Sequence, residues 1–304
     1  MDMDSSFLYE VDPTHCEDTY YIDLDVYNVP SMGCAYILDG DRPAVIETGV
    51  GKRYERILEA LDEIGIEYED VEVIAPTHVH LDHAGGAGFL ARECPNATVM
   101  TYERGARHLV DPSQLVAGTK QAVGERWKFY VEPVPIDEDR VSGLEDGDVI
   151  DLGDRNLEVH HAPGHAKHQA VYYDRRSDAV FAGDAAGIYV PELDRVQPTT
   201  PPTQFDLEGA LADIDLLRDL DPDMLLYTHF GPRADVDRAL SEYEELLKEW
   251  VDEIREKRAE LEDDEAVIEY FPQRTDVVDL WGEENAVSEI RMNVRGVLGY
   301  LDRQ

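Results

Sequence analysis

Apolar residues in the first half of the chain fall into short blocks separated by turn residues. Tyr20 to Val26, Cys34 to Leu38, Ala44 to Glu47 and Val71 to Ala75 read as strands, and Tyr54 to Ile64 carries a helical spacing between the last two. A short helix is predicted over Ala87 to Glu93 and a strand over Ala97 to Thr101. Strands and helices alternate, as in a layered α/β fold. A second run echoes the first without repeating its sequence. It has strands at Leu157 to His161, Ala170 to Tyr173 and Ala179 to Ala182, a helix at Asp206 to Leu220 and a strand at Met224 to Tyr227.

Between the two runs, 103–148 mixes Pro133, Pro135 and acidic turns with one helical stretch, Thr119 to Phe129, and reads as an insertion. After the second run, Leu240, Tyr243, Leu246, Leu247, Trp250, Val251 and Ile254 recur at three- and four-residue steps. Asp235 to Glu262 is therefore predicted as an amphipathic helix with an acidic outer face. A last helix, Val287 to Leu301, would bury Ile290, Val294, Val297, Leu298 and Leu301. The pattern divides the chain into a main domain over 1–234 and a helical extension over 235–304.

Composition narrows the partners. The 304 residues can bury a substantial core without disulfides, and 43% hydrophobic content is unlike a disordered chain. The 67 acidic against 27 basic residues give a net charge of -40, spread along the whole length. Dispersed carboxylates with Arg favoured over Lys resemble the proteins of halophilic microbes. Such a surface repels phosphate backbones and anionic lipid, which argues against nucleic-acid or membrane partners and for a small-molecule substrate. Met1 to Val11 lacks a basic start followed by an apolar run, and no stretch has the length of a membrane span. Cys16, Cys34 and Cys94 are odd in number and free of C-x-x-C spacing, so neither a disulfide framework nor a thiolate zinc site is expected, and a cytoplasmic setting fits. A homo-oligomer stays open.

The chemistry concentrates in Thr77-His78-Val79-His80-Leu81-Asp82-His83-Ala84-Gly85-Gly86, between a predicted strand and a predicted helix. Residues two apart at a strand end point to the same side, so His78 and His80 can converge on one ion. Where the chain turns into a helix, Asp82 and His83 can address a second position. Neutral imidazole and carboxylate are ligands of zinc in open catalytic sites, and imidazole also suits iron.

This His-x-His-x-Asp-His motif resembles that of the metallo-β-lactamase superfamily. The resemblance implies an αββα sandwich with two divalent metal ions at one edge of its sheets, zinc first, with iron or manganese as alternatives. Three later positions match the family pattern in order, each just after a predicted strand. His165, in Ala162-Pro163-Gly164-His165, would complete the first site with His78 and His80. Asp184, after Gly183, would bridge the ions, and His229, after Thr228, would join Asp82 and His83 on the second.

After His165 many relatives continue with a small residue, any residue and Gly-His, whereas this chain has Ala166-Lys167-His168-Gln169. His168 is thus an extra imidazole, expected to be structural or a proton carrier. His15 and His108 are expected to be incidental, and Tyr189 a packed loop side chain.

Two ions lower the pKa of a water held between them, and the resulting bridging hydroxide can attack an acyl carbon polarised by the same charge. The resemblance therefore implies a hydrolase of thioesters, lactones or related acyl bonds, with glyoxalase II the nearest analogy. Asp82 and Asp184 are the catalytic carboxylates, Asp82 as a metal ligand first and a proton acceptor second. The alternative is an oxidoreductase like the persulfide dioxygenases, with a single iron on His78, His165 and Asp184. Recognition is expected from 103–148, from the 185–205 loop and from the C-terminal helices.

Overall fold

A computed structural model describes residues 6–12 and 14–304. Met1 to Ser5, part of the segment examined for an apolar run, and Pro13 lie outside the described residues. The first sheet holds seven strands in sequence order. These are β1 (Leu8–Glu10), β2 (Thr19–Asp23), β3 (Cys34–Leu38), β4 (Ala44–Ile46), β5 (Val73–Ala75), β6 (Thr98–Tyr102) and β7 (Val141–Leu144). Strands β1 to β4 pair antiparallel, and β4 to β7 run parallel.

The second sheet contains β8 (Val149–Asp151), β9 (Asn156–His161), β10 (Ala170–Asp174) and β11 (Ala179–Gly183). A separate hairpin, β12 (Ile188–Val190) with β13 (Arg195–Gln197), precedes its last two strands, β14 (Met224–Tyr227) and β15 (Gly231–Arg233). The sheet order is β15-β14-β11-β10-β9-β8, with β11 and β14 parallel.

The continuous apolar runs follow from burial on both faces of each sheet. Along β3, Cys34, Tyr36 and Leu38 point between the sheets, and Ala35 and Ile37 point to the helices outside. In the second sheet Tyr172, Phe181 and Leu226 face the first sheet, whereas Val171, Val180 and Leu225 face outward. Three buried clusters therefore separate four layers, helix on sheet on sheet on helix.

The first outer layer packs α1 (Glu55–Ile64) and α3 (Ala87–Glu93), with the single-turn α2 (Leu81–Ala84) between them in sequence. The second outer layer packs α6 (Leu207–Leu220), capped by Asp206 accepting from the Gly209 amide, and the long α7 (Val236–Leu261). The chain ends in α8 (Asp264–Tyr270), α9 (Val278–Trp281) and α10 (Glu283–Leu301). Ala239, Leu240, Tyr243, Val251, Val294 and Val297 share one core with β10, β11 and β14. The C-terminal helices thus cover the second sheet. No helix among the described residues is long and apolar enough to cross a membrane.

Several sequence expectations shift. The strand expected through Val26 ends at Asp23, because Asp25 and Tyr27 take positive φ in a tight turn. The 103–148 segment is more than an insertion. It contributes the edge strand β7 and two helices, α4 (Glu103–Val110) and α5 (Ser113–Val123). The helix expected over Thr119 to Phe129 stops at Val123, where Gly124 turns to φ 55 and a 3-10 turn follows. Short strands with too few residues to show a period, such as β8, β12 and β15, escape a pattern search.

Helix α10 lies directly on the 198–201 loop. A Cβ at Gly296 would sit 1.8 Å from the Thr200 carbonyl oxygen, whereas one at Gly118 on α5 meets nothing within 4 Å. Gly296→Ala should therefore lower the unfolding free energy by about 1–3 kcal/mol through overpacking. Gly118→Ala should be neutral or stabilising by up to about 1 kcal/mol. Urea titration of both variants checks the contrast, and equal effects would contradict the packing.

Candidate metal centre

Four loops leave the strands β5, β9, β11 and β14 at one edge of the sandwich, and they carry His78, His165, Asp184 and His229 to a common point. Sheet-to-sheet hydrogen bonds hold that edge together. The Tyr172 hydroxyl donates to the Pro76 carbonyl (2.8 Å), the Ala170 amide to Thr77 O (3.0 Å) and the Cys34 amide to Thr228 O (2.6 Å). Gly183 is required here. Its φ is 50, and a Cβ would lie 2.6 Å from Thr77 Oγ1.

Three imidazole nitrogens converge first. His78 Nε2 is 3.0 Å and His165 Nε2 3.1 Å from His80 Nδ1. A second trio, Asp82, His83 and His229, brings its ligand atoms within 4.8 Å of one another, as does the set His78, His83 and Asp184. Asp184 stands between the trios. Its Oδ2 is 3.2 Å from His165 Nε2, and its Oδ1 is 3.4 Å from His229 Nε2 and 3.6 Å from His83 Nε2. All seven residues singled out in the sequence are brought together. His80 and Asp82 are partly exposed toward a cavity, and the other five are buried.

The outer hydrogen bonds set the ring tautomers. His165 Nδ1 donates to the Thr199 carbonyl (3.2 Å) and His229 Nδ1 to the Met32 carbonyl (2.5 Å), which leaves each Nε2 lone pair facing the centre. His78 Nδ1 lies 3.2 Å from Thr77 Oγ1, which in turn donates to Glu47 Oε1 (2.5 Å). Burial, and the neighbouring imidazoles, hold His78 well below and His80 down to about 3, so both rings are neutral donors of lone pairs. Burial opposes charge on Asp184, but His165, His83 and His229 outweigh it and hold the carboxyl well below the usual range.

The donor set fits a metal. His83 Nδ1, His83 Nε2 and Asp184 Oδ1 are buried with no hydrogen-bond partner, a costly arrangement for a polar interior. Neutral His78, His80 and His165 and the ionised Asp184 are the deprotonated ligands that a divalent ion requires, whereas, against the cost of burial, Glu47 and Asp184 raise His83, and Asp184 raises His229, so these two rings would release protons on binding it.

Glu47, unnoticed in the sequence, is fully buried beneath the centre. It accepts from Thr77 and from Thr228 Oγ1 (3.1 Å) and lies 3.3 Å from His83 Nδ1. The available signal was an acidic residue closing the apolar run Ala44-Val45-Ile46. Thr199 also went unnoticed, and its hydroxyl donates to Asp184 Oδ2 (3.2 Å). Its neighbour Thr200 is fastened to α10, where Asn293 Oδ1 accepts from the Thr200 amide (2.6 Å). Gln169 Oε1 accepts from the Asp184 amide (3.2 Å).

A cavity of about 570 Å³ opens beside the centre. Tyr27, Leu115, Tyr130, Pro201, Trp281 and Met292 are in its wall, so α5, the 198–204 loop and the C-terminal helices all contribute. His168 lines it too, its ring 5.1 Å from that of His80 and its pKa pushed by burial down to about 2. His108, expected to be incidental, is in the cavity wall because the unforeseen α4 carries it there. His15 is exposed beside Asp12, and Tyr189 packs under Arg233 away from the cavity.

The sequence matches the family described as the metallo-beta-lactamase superfamily over residues 30–229. It is similar to the metallo-beta-lactamase fold-containing protein ST1585 of Sulfurisphaera tokodaii, 26% identical over 225 residues, or 71% of this chain and 79% of that protein. The solved structure of ST1585 superposes with a TM-score of 0.68 at 22% identity, covering 91% of this chain and 98% of that one. A family protein of Thermus thermophilus, TTHA1429, gives a TM-score of 0.63 at 22% identity, covering 89% of this chain and 88% of that one. The acyl-coenzyme A thioesterase MBLAC2 of Gallus gallus is 32% identical over 123 residues, which span 36% of this chain and only 39% of that protein.

The supports of the centre generate two tests. Glu47→Gln alters the carboxyl that accepts from Thr77 and Thr228 and lies beside His83, so metal affinity should fall roughly 10–100-fold in a chelator competition. An unchanged affinity would refute the role. Asp213 accepts from the Gly164 amide (2.7 Å) next to His165, and burial, with help from Asp206, pushes its carboxyl up to about 7. A raised folded pKa means the unfolded chain loses its proton first, so this group's contribution to stability declines as pH rises from about 4 through 7. Wild type should therefore lose stability relative to Asp213→Asn across that window and run parallel to it above about pH 8, as read by urea unfolding.

Proposed function

The chain belongs to the metallo-beta-lactamase superfamily, and we propose that within it the protein is a hydrolase of acyl thioesters with two divalent ions, zinc first. The observation that carries this reading is the pair of ligand trios on either side of Asp184, whose two oxygens face different trios. His78, His80 and His165 would hold one ion, Asp82, His83 and His229 the other, and Asp184 would bridge them. When bound, such ions acidify a water and polarise an acyl carbonyl.

The chain's own residues would do the rest. Asp82 is held ionised because His83 and His229 outweigh the cost of its burial, and it borders the cavity, where it can also take a proton. The hydroxyls of Tyr27 and Tyr130 hydrogen-bond to each other in the cavity wall. Two phenols sharing one hydrogen bond leave one O–H proton for a substrate oxygen. The apolar wall of Leu115, Ala122, Trp281 and Met292 suits an acyl chain and keeps bulk water from the carbonyl.

The thioester assignment draws on the similarity to MBLAC2, and lactones are the second substrate class. The dispersed acidity supports work at high ionic strength in a cell of halophilic type.

Elemental analysis of protein purified in high salt should give about two zinc equivalents per chain, with turnover of thioesters above lactones. About one iron and no hydrolysis would overturn the reading. Asp184→Asn should lower kcat/KM by at least about three orders of magnitude, since several kcal/mol of charge stabilisation would be lost.

A further inference from the structure

The cavity wall carries charge of both signs. Asp82 and Asp184 line the end at the centre, and the remaining charged lining residues are Arg107, Arg126, Glu289 and Arg295. Arg126 is buried, pairs with Glu289 (2.7 Å) and lies over the Tyr27 ring (5.0 Å to its centroid). That pair is internally neutral. Arg107 on α4 and Arg295 on α10 are exposed, and among the described residues neither has a carboxylate within ion-pair distance. The Nε of Arg107 donates to the cavity-lining His108 (3.3 Å), which leaves its terminal nitrogens uncommitted.

Elsewhere on this surface arginines are commonly neutralised. Arg175 pairs with Glu158, Arg176 with Asp18 and Asp154, and Arg238 with Asp194 and Glu242. Arg92 and Arg104 are likewise exposed without a carboxylate at ion-pair distance among the described residues, but neither lines the cavity. Two unpaired guanidinium groups at one cavity therefore point to an anion that arrives from outside.

We propose that Arg107 and Arg295 form an anion-recognition subsite, and that the natural substrate is an acyl thioester carrying phosphate or carboxylate charge remote from the scissile bond. This rests on the thioesterase reading. A guanidinium presents paired N–H donors that match either oxyanion, and the bond is charge-assisted. The surrounding negative field repels an anion at long range, but salt screens that repulsion within about 10 Å or less, so capture depends on short-range contact at these two arginines. The subsite therefore sets KM more than kcat.

The test uses the metal-loaded full chain at one fixed ionic strength, with the same acyl group on coenzyme A (phosphates), glutathione (carboxylates) and N-acetylcysteamine (neutral). At least one charged thioester should exceed the neutral one by about tenfold or more in kcat/KM, mostly through KM, consistent with charge-assisted hydrogen bonds. The better charged substrate identifies the oxyanion. The double variant Arg107→Gln/Arg295→Gln should lose about tenfold or more on that substrate and no more than about twofold on the neutral one.

Calorimetric binding of the corresponding S-alkyl thioethers, which cannot be hydrolysed, reads the subsite without turnover. Binding that is equal for charged and neutral thioethers, or unchanged in the double variant, overturns the proposal. Arginine-dependent thioether binding without hydrolysis of any thioester would sustain the subsite and overturn the thioesterase reading instead.

Discussion

The burial of one carboxylate among three imidazoles is the interaction on which the remaining structure of the site depends. Ionised Asp184 in an apolar interior costs several kcal/mol unless its oxygens are paired. Its Oδ2 faces His165 and the Thr199 hydroxyl, and its Oδ1 faces His83 and His229. Each partner comes from a different loop, so no loop can move without exposing an uncompensated charge. Gly183 lets β11 end in the left-handed turn that delivers Asp184, and Gln169 holds its amide. A divalent ion is the natural complement, because Asp184 Oδ1 and His83 Nε2, both left without hydrogen-bond partners, are atoms that would ligate it.

The supports reach beyond the two sheets. Glu47 ties Thr77 on one loop to Thr228 on another, joining the halves of the sandwich beneath the ligands. From the other side, α10 holds Thr200 through Asn293, and Thr200 fixes the position of Thr199 against Asp184. The C-terminal helices therefore act on the centre through a backbone loop as well as lining the cavity. Their apolar faces merge with the outer face of the second sheet, so the loop is anchored to a packed core.

Charge is distributed with a consistent logic. The exterior is strongly acidic, whereas the cavity wall carries arginines that its own carboxylates leave partly uncovered. At low ionic strength such an exterior repels anions over tens of ångströms, and at high ionic strength it does so hardly at all. A surface of this kind lets short-range contacts decide which ligand enters.

The candidate ligands were legible because their signals are local. His78, His80, Asp82 and His83 lie within six residues, and His165, Asp184 and His229 each follow a short apolar strand. The layered architecture was legible too, since strands buried on both faces leave continuous apolar runs. Helix α5 was misplaced by several residues and α4 was missed, because their polar sequences carry a weak period and Gly124 ends one of them abruptly. With α4 went the place of His108 in the cavity. Glu47, Thr199 and the Tyr27 and Tyr130 pair could not be assigned from sequence, because a buried acid, a threonine and two tyrosines acquire their roles only from partners far along the chain. The sequence by itself determined the candidate ligand set and the alternation of elements, both written in short-range spacing. Only the tertiary structure decided which side chains orient the ligands, which arginines stay unpaired and where the cavity lies, because those depend on long-range packing that local pattern does not encode.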